Sequence, residues 1–579
     1  MKKYINMGEN IKLKAWVLIS LFLFLTLNSC NENEFLEETP SDFYSPENSY
    51  VNYADFQAAV ANLHNKYRSR FYESNKPEEF PSLAFASTEL SYQNSDIIWN
   101  FASTYLPTGS FALDALWEPA YQLIYDANVI IGRADSDTNE LSEVEKNQIK
   151  AEAMFFRALM YKMLANMYGG VPINLQETTE PKRDFVRASR QEVYQQCATD
   201  LEFSVQYLPG IDEVDLTRIN RLVAYHVLAE IYVSLEQWTK AINAASEVIN
   251  SPDTGLMTER FGTMVDNPMS EYFVDGSDGD VYWDLFRVGN QGRDIGNTEG
   301  LWVLPFAFNV PGGASGDHSP GFITRLWQMK ILNSDGTSTT LVPTPNDFYH
   351  GRGIGMVKPS HYFQTTLWEK SGFDEDIRNS EHNIQRDFKV ANPKSEHFGK
   401  WVVKDGLQYP ASDTLRNFYP ALTKLSTMGQ FPKELYQPNQ EVPGTIFQNV
   451  DARRAWRARY VYRLAETYLL RAEGHLGNGD QVKAALDINV VRNRAKAPEV
   501  SPGDVDLDYI LDERLRELYY EEFYLCTTNR LGKTVERSSQ LNPYEGGPIL
   551  YQPHNNLWPI PFSEIEKNTG AILEQNPGY

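Results

Sequence analysis

From about Asp55 onward, apolar side chains recur every three or four residues, the spacing of helices with one buried face. The run Ala151–Tyr168, AEAMFFRALMYKMLANMY, goes further. Only Glu152, Arg157, Lys162 and Asn166 are strongly polar in it, so the pattern predicts a helix enclosed by neighbours on every side. Gly169-Gly170, with Pro172 just beyond, should stop it. A second helix is predicted over Gln191–Leu208, ending at Pro209-Gly210. The stretch Ala224–Asp253 reads as helix–turn–helix. Tyr225, Leu228, Ala229 and Tyr232 form one stripe and Ala241, Ala245 and Val248 the facing one, and the small alanines allow a close crossing. Tyr468–Ala495 repeats the pattern, with Tyr468, Ala472, Gly479, Ala484 and Ile488 at matching offsets. Between about 261 and 444 the helical period fades, and Gly, Pro, Asn and Asp crowd in.

The spacing within each helix pair resembles a tetratricopeptide repeat. The two copies are too far apart for a simple tandem array, so the reading is a mostly α protein in which several helix pairs form a solenoid-like scaffold. The central stretch is then a large loop-rich insertion. It carries Trp283, Trp302, Trp327, Trp368 and Trp401. Insertions of this size usually carry function; the alternative for each tryptophan is that it pins a loop onto the helices.

The amino terminus adds a location. Lys2, Lys3, Lys12 and Lys14 precede an apolar run, Ala15–Leu27, of 13 residues. A spanning helix needs about 20, so the run fits the core of a secretory signal. It ends Leu27-Asn28-Ser29-Cys30, which resembles a bacterial lipobox whose cysteine takes lipid. Glu32, Glu34, Glu37 and Glu38 follow, resembling the surface-export signal of Bacteroidetes lipoproteins. An ordinary signal followed by an incidental cysteine is the competing reading. Under the first, the mature chain begins at Cys30 on a flexible polar tether, held to the membrane by two or three acyl chains.

The chain of 579 residues is 42% apolar, as a globular protein is. Its formal charge of −24 argues against nucleic acid and against broad contact with anionic lipid, and suits a soluble protein with a neutral ligand. Cys197 and Cys526 are too few for a disulfide scaffold; a bridge between them competes with two buried thiols, and the thiols are the better reading.

Catalytic signatures are scarce. Gly532-Lys533-Thr534 echoes a phosphate loop, but the glycine that motif needs at 527 is Thr527. The run Gly351–Gly355, GRGIG, is not a dinucleotide fingerprint. No HExxH or GxSxG occurs, and the nine histidines are scattered. Asp275, Asp278 and Asp280 could hold Ca²⁺, but a solvated turn is the better reading, since they match no EF-hand. A glycosidase needs two facing carboxylates roughly 5–10 Å apart. Asp512-Glu513 and Glu521-Glu522 are adjacent on a predicted helix, point different ways, and are expected to be solvated or salt-bridged.

Several motifs together resemble the SusD/RagB family of Bacteroidetes outer-membrane lipoproteins that capture nutrients. They are Cys30 with FLEETPSDFYSPENSY, SDIIWN with LWEPAYQLIYDANVII, and KAEAMFFRALMYKMLANMYGGVPI. YRLAETYLLRAEG, INVVRNRA, LWPIPFSEIEKN and the terminal QNPGY follow. The resemblance spans nearly all of 30–579. One departure stands in the family's stretch ER-x-x-EL-x-x-EG-x-R-x-x-DL-x-R. Glu513, Arg514, Glu517, Leu518, Glu521 and Arg530 agree, but Glu522, Tyr524, Thr527 and Thr528 replace the usual Gly, Arg, Asp and Leu. A divergent member is implied, and starch specificity is not assumed.

The resemblance implies a SusD-like fold and binding without catalysis or cofactor. It implies a lid on a SusC-like TonB-dependent transporter barrel, lipid-anchored at Cys30 and exposed on the cell surface. The expected segments are a signal over 1–29, a lipidated tether over 30–50, a helical half over 51–260, a ligand-facing insertion over 261–445 and a C-terminal helical part over 446–579. Sugars stack their C–H faces on aromatic rings while amides and carboxylates bond the hydroxyls. The expected ligand contacts are Trp99 and Asn100 in the early loop, with Tyr282, Trp283, Trp302 and Trp327 in the insertion. A RagB-like peptide-capturing lipoprotein and a surface glycoside hydrolase are the alternatives.

Overall fold

The computed structural model describes residues 49–73, 80–86, 88–93, 111–266, 269–314, 316, 319–542 and 551–579. Cys30, Trp99, Asn100 and the leader lie outside the described residues. The scaffold runs α1 (Tyr53–Phe71), α2 (Phe111–Ala134), α3 (Glu143–Tyr168), α4 (Arg190–Tyr207), α5 (Arg221–Ser234) and α6 (Trp238–Ile249). It resumes with α7 (Leu464–Gly477), α8 (Gln481–Arg494), α9 (Leu507–Leu518), α10 (Tyr524–Arg530) and α11 (Thr534–Leu541). Starts are set by capping boxes: Asn52 with Asp55, Ser142 with Glu145 and Ser189 with Glu192 each satisfy two backbone donors. Gly169, at φ +75°, ends α3 as expected.

Helix α3 is the centre of the scaffold and is buried on all sides from Ala151 to Tyr168 except at Met154. Its four polar residues are buried too, and together they reach three neighbouring helices. Glu152 pairs with His64 of α1 at 2.7 Å and with Arg218 at 2.9 Å. Arg157 grips Asp200 of α4 through two bonds of 2.8 and 2.7 Å, and Lys162 meets Glu230 of α5 at 2.6 Å. Tyr194 of α4 donates to Asn166 at 2.6 Å. A buried polar group without a partner costs about 1–3 kcal/mol, so these pairings fix which helix lies where. The carboxyl terminus clamps the end of α3. Asn576 donates to the Tyr168 carbonyl at 2.9 Å, and the Trp558 amide to the Met167 carbonyl at 2.7 Å.

The two repeat-like helix pairs, distant in sequence, are neighbours in space: α6 packs on α7. Gly474 and Gly477 make this crossing close. A Cβ at Gly474 would sit 3.2 Å from Ile242, and one at Gly477 would sit 2.6 Å from the Trp238 indole. The stacking α2 through α8 is therefore continuous, and the insertion loops out between Ile249 and Leu464.

The insertion is less featureless than its composition suggests. It holds short antiparallel pairs, among them Lys330–Leu332 with Ser338–Thr340 and Ile384–Gln385 with Ala421–Leu422. It also has a core of its own around Leu326, Met329, Ile331, Val342, Phe388 and Val390. Strands β1 (Gly300–Leu304) and β2 (Arg459–Arg463) pair antiparallel, and β2 runs straight into α7.

Where insertion and scaffold meet, a buried ion cluster ties them. Arg463 at the end of β2 contacts Glu299 at 2.5 Å, Glu517 at 2.9 Å and Glu521 at 2.6 Å. Arg378 contacts Asp376 at 2.7 Å, Glu513 at 2.8 Å and Glu517 at 3.1 Å. Arg494 joins Glu299 and Glu517, and Arg492 and Arg516 both reach Glu513. Every side chain here is at most 2% exposed except Glu521 at 9%. Of the two readings for these acids, solvated or salt-bridged, the salt-bridged one holds, although Glu521 and Glu522 lie beyond the end of α9 and not on the predicted helix. Asp512 pairs with Arg537 and Glu522 with Arg514. Burial alone would raise the Glu513 and Glu517 carboxyls, but the surrounding arginines outweigh it and hold both well below 4.5.

Because their folded pKa values are depressed, these acids contribute stability fully above pH of about 4.5 and lose it as pH falls below. Denaturant unfolding at neutral pH should show Glu517→Gln losing about 3–5 kcal/mol, since it strands buried arginine charge. Its acid-induced loss of stability should also be shallower than that of the unsubstituted chain. A loss below about 1 kcal/mol would contradict the cluster's role.

Candidate functional site

Three of the expected contacts prove to be core residues. Trp302 lies on β1, fully buried. It stacks on Tyr67 of α1 at 5.2 Å and 18°, and Phe155 and Phe156 of α3 meet it edge-on. Trp283, also fully buried, lies under the Arg287 guanidinium at 4.6 Å and among Met264, Met269, Phe273 and Met428. The Tyr282 hydroxyl donates to the Glu517 carbonyl at 2.6 Å, and its ring walls the ion cluster 5.4 Å from Arg494. None offers a face to a ligand in this structure. The physical reason is the loop-rich sequence around them: segments without long ladders of backbone hydrogen bonds are held down by large rings driven into the scaffold.

Trp327 is different. It sits on the turn Leu326–Gln328, half-buried, and its indole N–H donates to the Gly353 carbonyl at 3.0 Å. The Arg352 guanidinium lies 5.7 Å from the ring centroid. The GRGIG run explains this geometry. A Cβ at Gly353 would lie 2.2 Å from the Thr324 carbonyl, so only glycine lets that backbone approach. Gly351 and Gly355 take φ of +69° and +64°. The glycines serve chain packing around Trp327, not a phosphate. Nearby, Val357–Pro359 pairs with Ser91–Gln93, the strand immediately before the segment that carries Trp99 and Asn100. Gln93, the last described residue before that segment, is thus paired with Val357, four residues after Gly353.

A second aromatic surface was missed from the sequence. A groove of about 630 Å³ runs between α2, the loop after α3 and the C-terminal tail, lined by Trp117, Tyr121, Tyr125 and Phe185. Tyr125 is 42% exposed. The signal was there, as Trp117, Tyr121 and Tyr125 recur every four residues on α2, but a helical aromatic stripe reads as core. Most of the groove's polar groups are already engaged. Lys66 pairs with Asp126 and Lys567 with Glu564. Asn568 bonds the Phe185 backbone in both directions, Gln122 donates to Glu118, and the Tyr121 hydroxyl donates to the Pro172 carbonyl.

The remaining motifs are structural. Asp280 caps the helix Val281–Leu285 and accepts from Ser380 and Asn383, so it is not a solvated turn residue. Among the described residues no group of three His, Cys, Asp or Glu side chains could hold a metal. Thr534 bonds Asn529 inside a buried helix junction. Cys197 and Cys526 are free and buried, and burial raises both thiols.

Comparison with known proteins gives a consistent result. A family model described as "Starch-binding associating with outer membrane" matches residues 34–233, and one described as "SusD family" matches 327–579. SusD-like protein P25 of Formosa agariphila is 24% identical over 97% of this chain and 99% of its own. A SusD-like protein of Bacteroides ovatus is 24% identical over 90% and 83%. Among solved structures, one titled a laminarin-binding SusD-like protein shares the fold with a TM-score of 0.63 at 21% identity, covering 92% of this chain and all of that one. Surface glycan-binding protein A of Bacteroides thetaiotaomicron, in complex with laminarihexaose, gives 0.62 at 18% identity, covering 91% of this chain and all of that one.

Trp302→Ala should destabilise the fold by about 3–5 kcal/mol, while Trp327→Ala should lose less than half of that. Thermal unfolding of the two variants checks it; equal losses would mean that Trp327 too is a core residue.

Proposed function

The chain belongs to the SusD/RagB family, and from that premise we propose that it captures an oligo- or polysaccharide at the cell surface and passes it to a SusC-like TonB-dependent barrel. The lipid on Cys30 holds it to the outer membrane. The ligand lies on the insertion edge, with Trp99 and Trp327 as stacking platforms and Asn100 bonding hydroxyls. The observation that carries this reading is Trp327 itself. It is the one expected contact within the described residues that keeps an exposed part, and its indole is held by Gly353, four residues before the strand that pairs with Ser91–Gln93. The two solved relatives with laminarin and laminarihexaose in their titles support a glycan as the ligand class.

The protein does no chemistry on the sugar. The acids considered for a hydrolytic pair, Asp512, Glu513, Glu521 and Glu522, are all engaged by arginine or lysine. A second reading, peptide capture, is favoured by the α2 groove. Its apolar walls and mostly satisfied polar groups suit an apolar side chain better than a ring of hydroxyls.

Calorimetric titration of the chain lacking residues 1–30 should show saturable binding of one glycan with no product released. Trp99→Ala and Trp327→Ala should each weaken it by about tenfold or more, equal to roughly 1.4 kcal/mol, with unfolding unchanged for the former. Tyr125→Ala in the groove should leave it within about twofold. Affinity lost only in Tyr125→Ala would move the site to the groove.

A further inference from the structure

We propose that the edge beside Trp327 binds the negative group of an acidic saccharide, a carboxylate or a sulfate, through Arg352 and Arg453. This rests on the glycan-capture reading and specifies its ligand class.

Arg352 and Arg453 line one cleft together with Ser426 and Thr427. Arg352 is held between two constrained glycines. A Cβ at Gly351 would meet Phe431 at 2.4 Å, and one at Gly353 the Thr324 carbonyl at 2.2 Å, so its side chain leaves from a fixed backbone. Its Nη1 donates to the Asn449 carbonyl at 3.3 Å, and its buried Nε has no partner. Arg453 ends the turn Asp451–Arg453. Its Nε is likewise buried without a partner, and its side chain makes no ion pair among the described residues. The Thr427 hydroxyl is the third buried polar atom of this cleft without a partner. Burial lowers the Arg352 pKa, and the positive charge of Arg453 lowers it further.

Arg352, Arg453 and Arg454 all line this cleft in a chain of net charge −24, and Arg352 and Arg453 make no ion pair among the described residues. Buried donors are nearly always satisfied, so three orphans in one cleft call for an absent partner. That partner must accept from guanidinium donors and bear negative charge, which a carboxylate or sulfate does in matched planar or bidentate geometry. The space in the cleft is only about 10 Å³, enough for an oxygen but not for a sugar ring. Trp327, under Arg352, supplies the surface on which the ring itself would lie. The arrangement suits a pyranose stacked outside with its anionic substituent pointing in.

The test is titration of the chain lacking residues 1–30 with three oligosaccharides of matched length: a hexuronan, a sulfated galactan and a neutral glucan. At low salt one acidic oligomer should bind about tenfold or more tighter than the neutral one, and added salt should narrow the gap. Which acidic oligomer wins identifies carboxylate or sulfate as the group. Arg453→Gln should lower affinity for that oligomer by about tenfold and flatten its salt dependence. Arg453 has no ion pair among the described residues to lose, so its thermal unfolding should be unchanged, which separates lost recognition from lost fold. Equal affinity for neutral and acidic oligomers would overturn the inference and leave glycan capture standing. Retained preference in Arg453→Gln would also overturn it. Failure of all three oligomers to bind would count against the capture reading as well.

Discussion

The insertion stays where it is because of Glu517. This one buried carboxylate, on a helix of the scaffold, accepts from Arg378 of the insertion, Arg463 of the connecting strand and Arg494 of α8. Moving so many charges out of water is expensive, and replacing them by apolar side chains can be neutral for stability. Their value here is better understood as registration. An apolar surface tolerates sliding, whereas an arginine that shifts off its carboxylate leaves both charges uncompensated. The cluster also explains why Tyr282 is buried, since its ring and hydroxyl close the cluster's wall.

Much of the scaffold was legible in sequence. The apolar run of α3, its four polar residues and its glycine stop were all visible, and so were the two repeat-like pairs. What periodicity could not reveal was that these pairs touch. That contact depends on Gly474 and Gly477 admitting Trp238 and Ile242, a relation between residues far apart in the chain. The same limit applies to the acids of α9. Charged residues on a helix usually face water, and only the arrival of arginines from other segments makes burial tolerable.

The site was less legible, for a related reason. Tryptophan in loop-like sequence has two uses, as a platform for ligand or as a peg for the loop, and local sequence is the same for both. Trp283 and Trp302 are pegs, and Trp327 keeps part of its surface outside. The glycines around it were visible but looked only like a failed dinucleotide fingerprint. Their role is steric, since they let the chain fold tightly enough to hold the indole N–H and to direct Arg352. The arginines of this edge carry no recognisable motif at all. Arg352 and Arg453 stand out only because they make no ion pair among the described residues.

A structure of the chain soaked with the glycan that it binds tests the central claim most directly. The account predicts a sugar ring against Trp327, with the described scaffold unmoved and the α2 groove empty. A sugar seated on Trp117 and Tyr125, with Trp327 bare, would contradict it.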